Sequence, residues 1–141
     1  MTTWHLNPTF LRLADGTHLR GLLIVDTSRR RFVGAGVAES DGDIEDVLRG
    51  SIAKDGLPDV VRHLPNHLFD DLTGSLTRLL AEHEFRPGVE AAYLDDDLVW
   101  VLDSARHISK AAERTKPATR AELADALHNG HDTVGTAPVK R

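Results

Sequence analysis

Residues 19–39 read LRGLLIVDTSRRRFVGAGVAE. Leu22, Leu23, Ile24 and Val25 form an apolar run, Asp26-Thr27-Ser28-Arg29-Arg30 is polar and turn-like, and Phe32, Val33, Ala35, Val37 and Ala38 resume the apolar character. Two strands joined by a charged turn are the simplest reading. The first strand has no polar face, so it is expected in the middle of a sheet with cover on both sides.

The flanking sequence extends this hairpin. Upstream, WHLNPTFLRL (4–13) reads as a first strand, followed by Asp15-Gly16, a strong hairpin signal. Pro8 lacks an N–H and marks an edge, a bulge or a strand entry. The second and third strands fall at 18–26 and 31–39. Gly34-Ala35-Gly36 lies inside the third and signals close approach of its backbone to a neighbour. Downstream, Ile44, Val47, Leu48 and Ile52 have helical spacing, with Asp43 as a candidate N-cap and Gly56 and Pro58 closing the helix. Val60-Val61 opens a short fourth strand. Leu68, Phe69, Leu72, Leu76, Leu79 and Leu80 mark a second helix to about Glu84, and Val89 to Leu94 a fifth strand. Asp95-Asp96-Asp97 is read as a turn, Leu98 to Leu102 as a further apolar run, and Ser104 to Thr115 as helical. Thr119-Arg120-Ala121-Glu122 is a capping box for a last helix through about Leu127. These elements predict one domain over 1–128 and a flexible tail over 129–141.

The totals narrow the class. The chain has 141 residues, 40% of them hydrophobic and 28% charged, which suits one globular domain. It has no cysteine, which removes disulfides and thiolate metal sites and fits a reducing, cytoplasmic compartment. No apolar run approaches the roughly 20 residues of a membrane helix, so no membrane partner is expected. The N-terminal MTTWHLNPTF lacks a basic region followed by an apolar stretch, so no secretory signal is expected. A net charge of −5 argues against strong non-specific nucleic-acid binding by the chain as a whole.

A series of landmarks carries a resemblance. Trp4-His5-Leu6-Asn7-Pro8-Thr9 opens the first strand, and Leu23-Ile24-Val25-Asp26-Thr27-Ser28-Arg29 ends the second. Phe32-Val33-Gly34 begins the third, and Gly56-Leu57-Pro58 closes the helix. Leu64-Pro65-Asn66-His67-Leu68-Phe69 precedes the Leu-rich helix. In this order the landmarks resemble the catalytic cores of retroviral-type integrases and DDE transposases. The resemblance spans roughly residues 4–85. It implies an α/β, ribonuclease H-like fold, with three antiparallel strands, then alternating α and β, and helices on both faces of a mixed sheet.

The resemblance also implies an activity, which is phosphoryl transfer on DNA by two divalent metals held by three carboxylates. Hard cations require anionic oxygen ligands. The three positions fall at Asn7, at Pro65 and, on the motif of an acid before an Arg, at Glu113-Arg114, with Glu90 as an alternative to Glu113. Only the last position is acidic. The resemblance therefore implies an impaired catalyst with no resident metal, Mg2+ or Mn2+ entering only with residual activity. DNA and a second copy of the chain are the partners it implies. A non-enzymatic dimerisation or protein-interaction module reusing the scaffold is the alternative. An unrelated α+β domain is a third reading.

Other residues are read against plainer roles. Arg29, Arg30 and Arg31 could contact phosphate or could be a solvated turn. Asp26 is expected to shape that turn. His63 and His67 are separated by Pro65, which disfavours a helical metal site, and His128 and His131 flank a Gly near the chain end. Asp95-Asp96-Asp97 lacks the alternating ligands of a calcium loop. No metal site is expected from any of these.

Overall fold

The computed structural model describes residues 2–63, 88–91 and 95–136. The hairpin that anchors the sequence is β2 (His18–Asp26) and β3 (Arg31–Val37). With β1 (Thr3–Arg12), β4 (Val60–His63) and β5 (Gly88–Ala91) it forms one five-stranded sheet of order β3-β2-β1-β4-β5. The β1–β2 and β2–β3 pairs are antiparallel, whereas β1–β4 and β4–β5 are parallel. Three helices accompany the sheet among the described residues: α1 (Asp41–Asp55), α2 (Asp96–Arg114) and α3 (Arg120–Thr136).

Side-chain alternation sends β1 and β2 into two cores. Trp4, Leu6, Leu22 and Ile24 pack on one face with Ile44 and Leu48 of α1. Leu11, Leu23 and Val25 pack on the other with Trp100, Val101, Ala105 and Ile108 of α2 and Leu123 and Leu127 of α3. Leu22, Leu23, Ile24 and Val25 are each 0% exposed, which accounts for the absence of a polar face in this run. Pro8 pairs with Leu22 of β2 and lies beyond the last described β1–β4 pair, Leu6↔His63. Its missing N–H thus falls where β1 has a described neighbour on one side only.

The Asp26 carboxylate accepts hydrogen bonds from the backbone N–H groups of Ser28 (3.0 Å) and Arg29 (3.2 Å), the turn-shaping role expected of it. Gly34-Ala35-Gly36 does mark close approach, and the neighbour is α1. A Cβ at Gly34 would collide with Ser51 Oγ, and one at Gly36 would stand 2.8 Å from Val47 Cγ2.

Several element boundaries differ from the sequence expectation. The N-cap of α1 is Ser40, whose Oγ accepts from the Asp43 N–H at 3.2 Å, rather than Asp43. Asp43 instead accepts from the Glu39 N–H (2.9 Å) and pairs with Arg120 (2.9 Å), joining α1 to α3. The acidic triplet is a helix start rather than a free turn. Asp95 caps α2 by accepting from the Leu98 N–H at 2.8 Å, and Asp96 and Asp97 complement the helix dipole in its first turn. The apolar run Leu98–Leu102 is consequently helical. Leu98, Val101, Ala105, Ile108 and Ala112 supply a buried stripe at helical spacing, while Val99 and Leu102 face outward. The N-cap of α3 forms as expected, with Thr119 Oγ1 accepting from the Glu122 N–H, while Glu122 reaches back to the N–H of Ala118, one residue before the cap, rather than to that of Thr119. The helix then continues to Thr136, past the expected end near Leu127 and into the segment read as a tail. Gly130 and Gly135 weaken a helix by about 1 kcal/mol each but do not stop it, and the first proline comes at Pro138. The expected helix over 68–84 and the Pro65–Phe69 landmark lie outside the described residues. No described helix is long and apolar enough to cross a membrane.

The Gly34 contact makes a stability prediction. Gly34→Ala should lower stability by about 1–3 kcal/mol through overpacking against α1. Ser51→Ala removes the colliding hydroxyl and should restore most of the loss. Thermal denaturation of the single and double variants measures both, and an unchanged melting point for Gly34→Ala would remove the argument for contact-driven selection of glycine.

Candidate functional site: a cleft between β1 and α2

On β1, His5, Asn7, Thr9 and Leu11 point to the face that α2 covers. Strand and helix run in the same sense. The α2 start, Asp95 and Asp97, exerts its charge on His5, and further along Ser109 Oγ lies 3.3 Å from Thr9 Oγ1. Between them opens a cleft of about 380 Å³ whose polar lining comes from Asn7, Thr9, Arg106, Ser109, Lys110 and Glu113. Phe10 and Leu102, 57% and 41% exposed, stand at its mouth.

Asn7 and Glu113, two of the three positions implied by the family triad, thus line one cleft. They sit towards opposite ends of it. Asn7 precedes the Thr9–Ser109 contact by two strand residues and Glu113 follows it by one helical turn, a separation of roughly 12 Å along the cleft. Between them, besides the Thr9 and Ser109 hydroxyls, the described lining includes two cations: Arg106, ion-paired at 2.8 Å with exposed Asp103, and Lys110. Pro65 lies outside the described residues, and its side chain carries no ligand atom. Glu90, the alternative to Glu113, is on β5. A pair of divalent cations needs several anionic oxygens at 2.0–2.6 Å. One amide, one distant carboxylate and two cations do not provide that set. Among the described residues no group of three His, Asp or Glu side chains could hold a metal ion.

The three turn arginines diverge rather than forming one patch. Arg29 pairs with Asp26 (3.5 Å), and Arg30 with Asp97 (3.4 Å) while its guanidinium stacks 5.6 Å from the Trp100 ring centroid. Arg31 pairs with Asp55 at the end of α1. Asp95, besides capping α2, pairs with Arg62 at 3.5 Å. The acidic triplet is thereby used in capping and ion pairing. His63 ends β4, and His67 and the side chain of His131 lie outside the description. His128 borders a separate groove of about 450 Å³ along the edge strand β3, between α1 and α3.

Two features were missed in the sequence. Arg106 and Lys110 are an i, i+4 basic pair on an outward helix face, a signal that reading Ser104 to Thr115 as a helix could have exposed. His5 was noted only as part of a landmark. It is 2% exposed and neither ring nitrogen has a hydrogen-bond partner among the described residues. Burial, followed by the charge of Arg62, lowers its pKa from 6.5.

That shift sets a pH dependence. The unfolded His5 binds a proton below about pH 6.5 and the folded one resists it, so the unfolded state takes up more protons and stability falls as pH drops below 6.5. The limiting slope for one group is about 1.4 kcal/mol per pH unit. His5→Leu should flatten the decline between pH 6.5 and 5 in urea unfolding. An equally steep decline in that variant would assign it to other groups.

By sequence, the chain matches no protein-family model and no curated protein. By structure, it superimposes on the HTLV-2 integrase catalytic core domain in complex with magnesium, dimeric form, with a TM-score of 0.70 and 11% identity over 98% of this chain and 88% of that one. The BIV integrase catalytic core gives a TM-score of 0.70 at 10% identity, over 99% of this chain and 86% of that one. Against the integrase of a simian T-cell lymphotropic virus intasome in complex with PP2A regulatory subunit B56 gamma, the TM-score is 0.67 at 15% identity, and this chain spans 50% of that one. The chain has the ribonuclease H-like fold of retroviral integrase catalytic cores.

Proposed function

We propose that the chain is an integrase- or transposase-core-like domain connected with DNA integration or recombination, and that it has lost strand-transfer chemistry. The carrying observation is the cleft between β1 and α2. Asn7, the position that the resemblance aligns with the family's first acid, lines it with Arg106 and Lys110, and Glu113, the one acid of the lining among the described residues, stands at the far end. Two-metal catalysis works by neutralising charge on the attacking and leaving oxygens, and an uncharged amide beside two cations does not recruit those metals. DNA remains the partner in this reading. Arg29 and Arg30 are its proposed phosphate contacts: the Arg30–Asp97 pair is exposed on both sides and contributes little, and the Arg29 side chain is 56% exposed although its partner Asp26 is buried.

The second reading is a non-enzymatic module that assembles with a second copy or another protein. It is favoured by Phe10, Val99 and Leu102, large apolar side chains that remain exposed, and by the commitment of Arg29, Arg30 and Arg31 to acids of the same chain.

Two measurements test these readings. A strand-transfer assay with Mg2+ or Mn2+ should show no turnover by the natural chain, and turnover abolished by Glu113→Ala would overturn the loss of chemistry. Fluorescence anisotropy with duplex DNA should show salt-sensitive binding that weakens in the variant carrying Arg29→Glu and Arg30→Glu. Absence of duplex binding together with a stable dimer in light scattering would select the interaction module.

A further inference from the structure

We infer that the cleft between β1 and α2 is a metal-free binding site for a phosphate group, carried by a nucleotide or by the end of a nucleic-acid strand. The inference rests on reading this cleft as the altered counterpart of a metal site. Its substance is that the charge preference of the site has been reversed rather than merely erased.

The floor of the cleft offers neutral hydrogen-bonding groups. Asn7 is 8% exposed and borders the cleft. Its side-chain amide brings both a donor and an acceptor to the lining. Next to it, Thr9 and Ser109 hold their hydroxyls 3.3 Å apart, an arrangement in which either can turn its proton to an incoming oxygen. The wall supplies cations. Lys110 has no ion pair among the described residues, and Arg106 has only the exposed contact with Asp103, a pair of little net worth. One turn apart on α2, the two lie on the same side of the cleft. Amide N–H, hydroxyl, ammonium and guanidinium are the donors that bind phosphate oxygens directly. A divalent cation finds among them neither the charge nor the oxygens it needs.

One further feature bears on the size of the group bound. Glu113, towards the other end and unpaired among the described residues, repels a second anionic group. The cleft therefore suits a single phosphate better than a polyphosphate.

NMR titration of the full chain in excess EDTA tests this, using inorganic phosphate, a deoxynucleoside 5′-monophosphate and a 5′-phosphorylated single-stranded oligonucleotide as separate probes. Saturable shifts of the Asn7 side-chain amide and of Lys110 are expected. Lys110→Glu and Arg106→Glu should each weaken binding roughly tenfold, the value of one charge-assisted hydrogen bond. Glu113→Gln should leave binding equal or tighter. Both cations are exposed, and far-UV circular dichroism verifies that the variants fold. Saturation by phosphate or the monophosphate identifies a small-molecule site, and saturation by the oligonucleotide alone identifies a strand end. Absence of saturation by all three probes, a requirement for Mg2+, or unchanged binding in both charge-reversal variants overturns the inference. Duplex anisotropy run alongside separates the two levels. Retained duplex binding without probe binding sinks this site alone, and probe binding without duplex binding sinks the DNA reading alone.

Discussion

The structure depends on the second half of β2 having nowhere to meet water. Its four consecutive apolar residues Leu22, Leu23, Ile24 and Val25 are fully buried, alternately on the two faces of the sheet. Burial of side chains of this size is worth roughly 1.5–3 kcal/mol each relative to exposure. A strand of this kind needs neighbours on both edges and cover on both faces. β1 and β3 supply the edges, α1 one face, and α2 with α3 the other. The layered arrangement follows from that requirement.

The same arrangement creates the cleft. Because α2 must cover Leu23 and Val25 through Trp100, Val101, Ala105 and Ile108, it passes over the neighbouring side chains of β1 on that face. Those include His5, Asn7 and Thr9, which are polar. The hydrophobic seal and the polar cleft are thus adjacent stretches of one helix–strand interface. Thr9 and Ser109 lie within the polar part, between Asn7 and Glu113. At the α2 start the interface is tightened by charge: Asp95 caps the helix and pairs with Arg62, and Asp97 pairs with Arg30, whose guanidinium lies over Trp100. The basic turn that reads as an external patch therefore acts first as a clamp between the β2–β3 turn and two helices.

How much was legible depended on the range of the interactions involved. The three-stranded meander was readable because strand alternation and the Asp15-Gly16 turn are local. The Thr119–Glu122 cap was readable for the same reason. Leu98–Leu102 was not, because a five-residue apolar run suits a strand and a buried helix equally well. The cap at Asp95 and the stripe continuing to Ala112 resolve it as helix. Asn7 is a candidate position only through the resemblance carried by Trp4-His5-Leu6-Asn7-Pro8-Thr9, and the structure shows that it lines a cleft. That its opposite wall would be Arg106 and Lys110 was not legible, since the residues are some 100 positions apart.

By itself the sequence determined the central strand, the antiparallel meander and the type of most elements. Each of these follows from residue type and short-range periodicity. Only the tertiary structure decided that Arg29, Arg30 and Arg31 point to three different acids. It likewise decided that Asn7 and Glu113 share a cleft without being adjacent, and that two cations lie between them. The physical reason is that charge pairing and cleft composition depend on which helix residue meets which strand residue, and that register is set by the packing of Trp100, Val101, Ala105 and Ile108 over β2, a contact between distant parts of the chain.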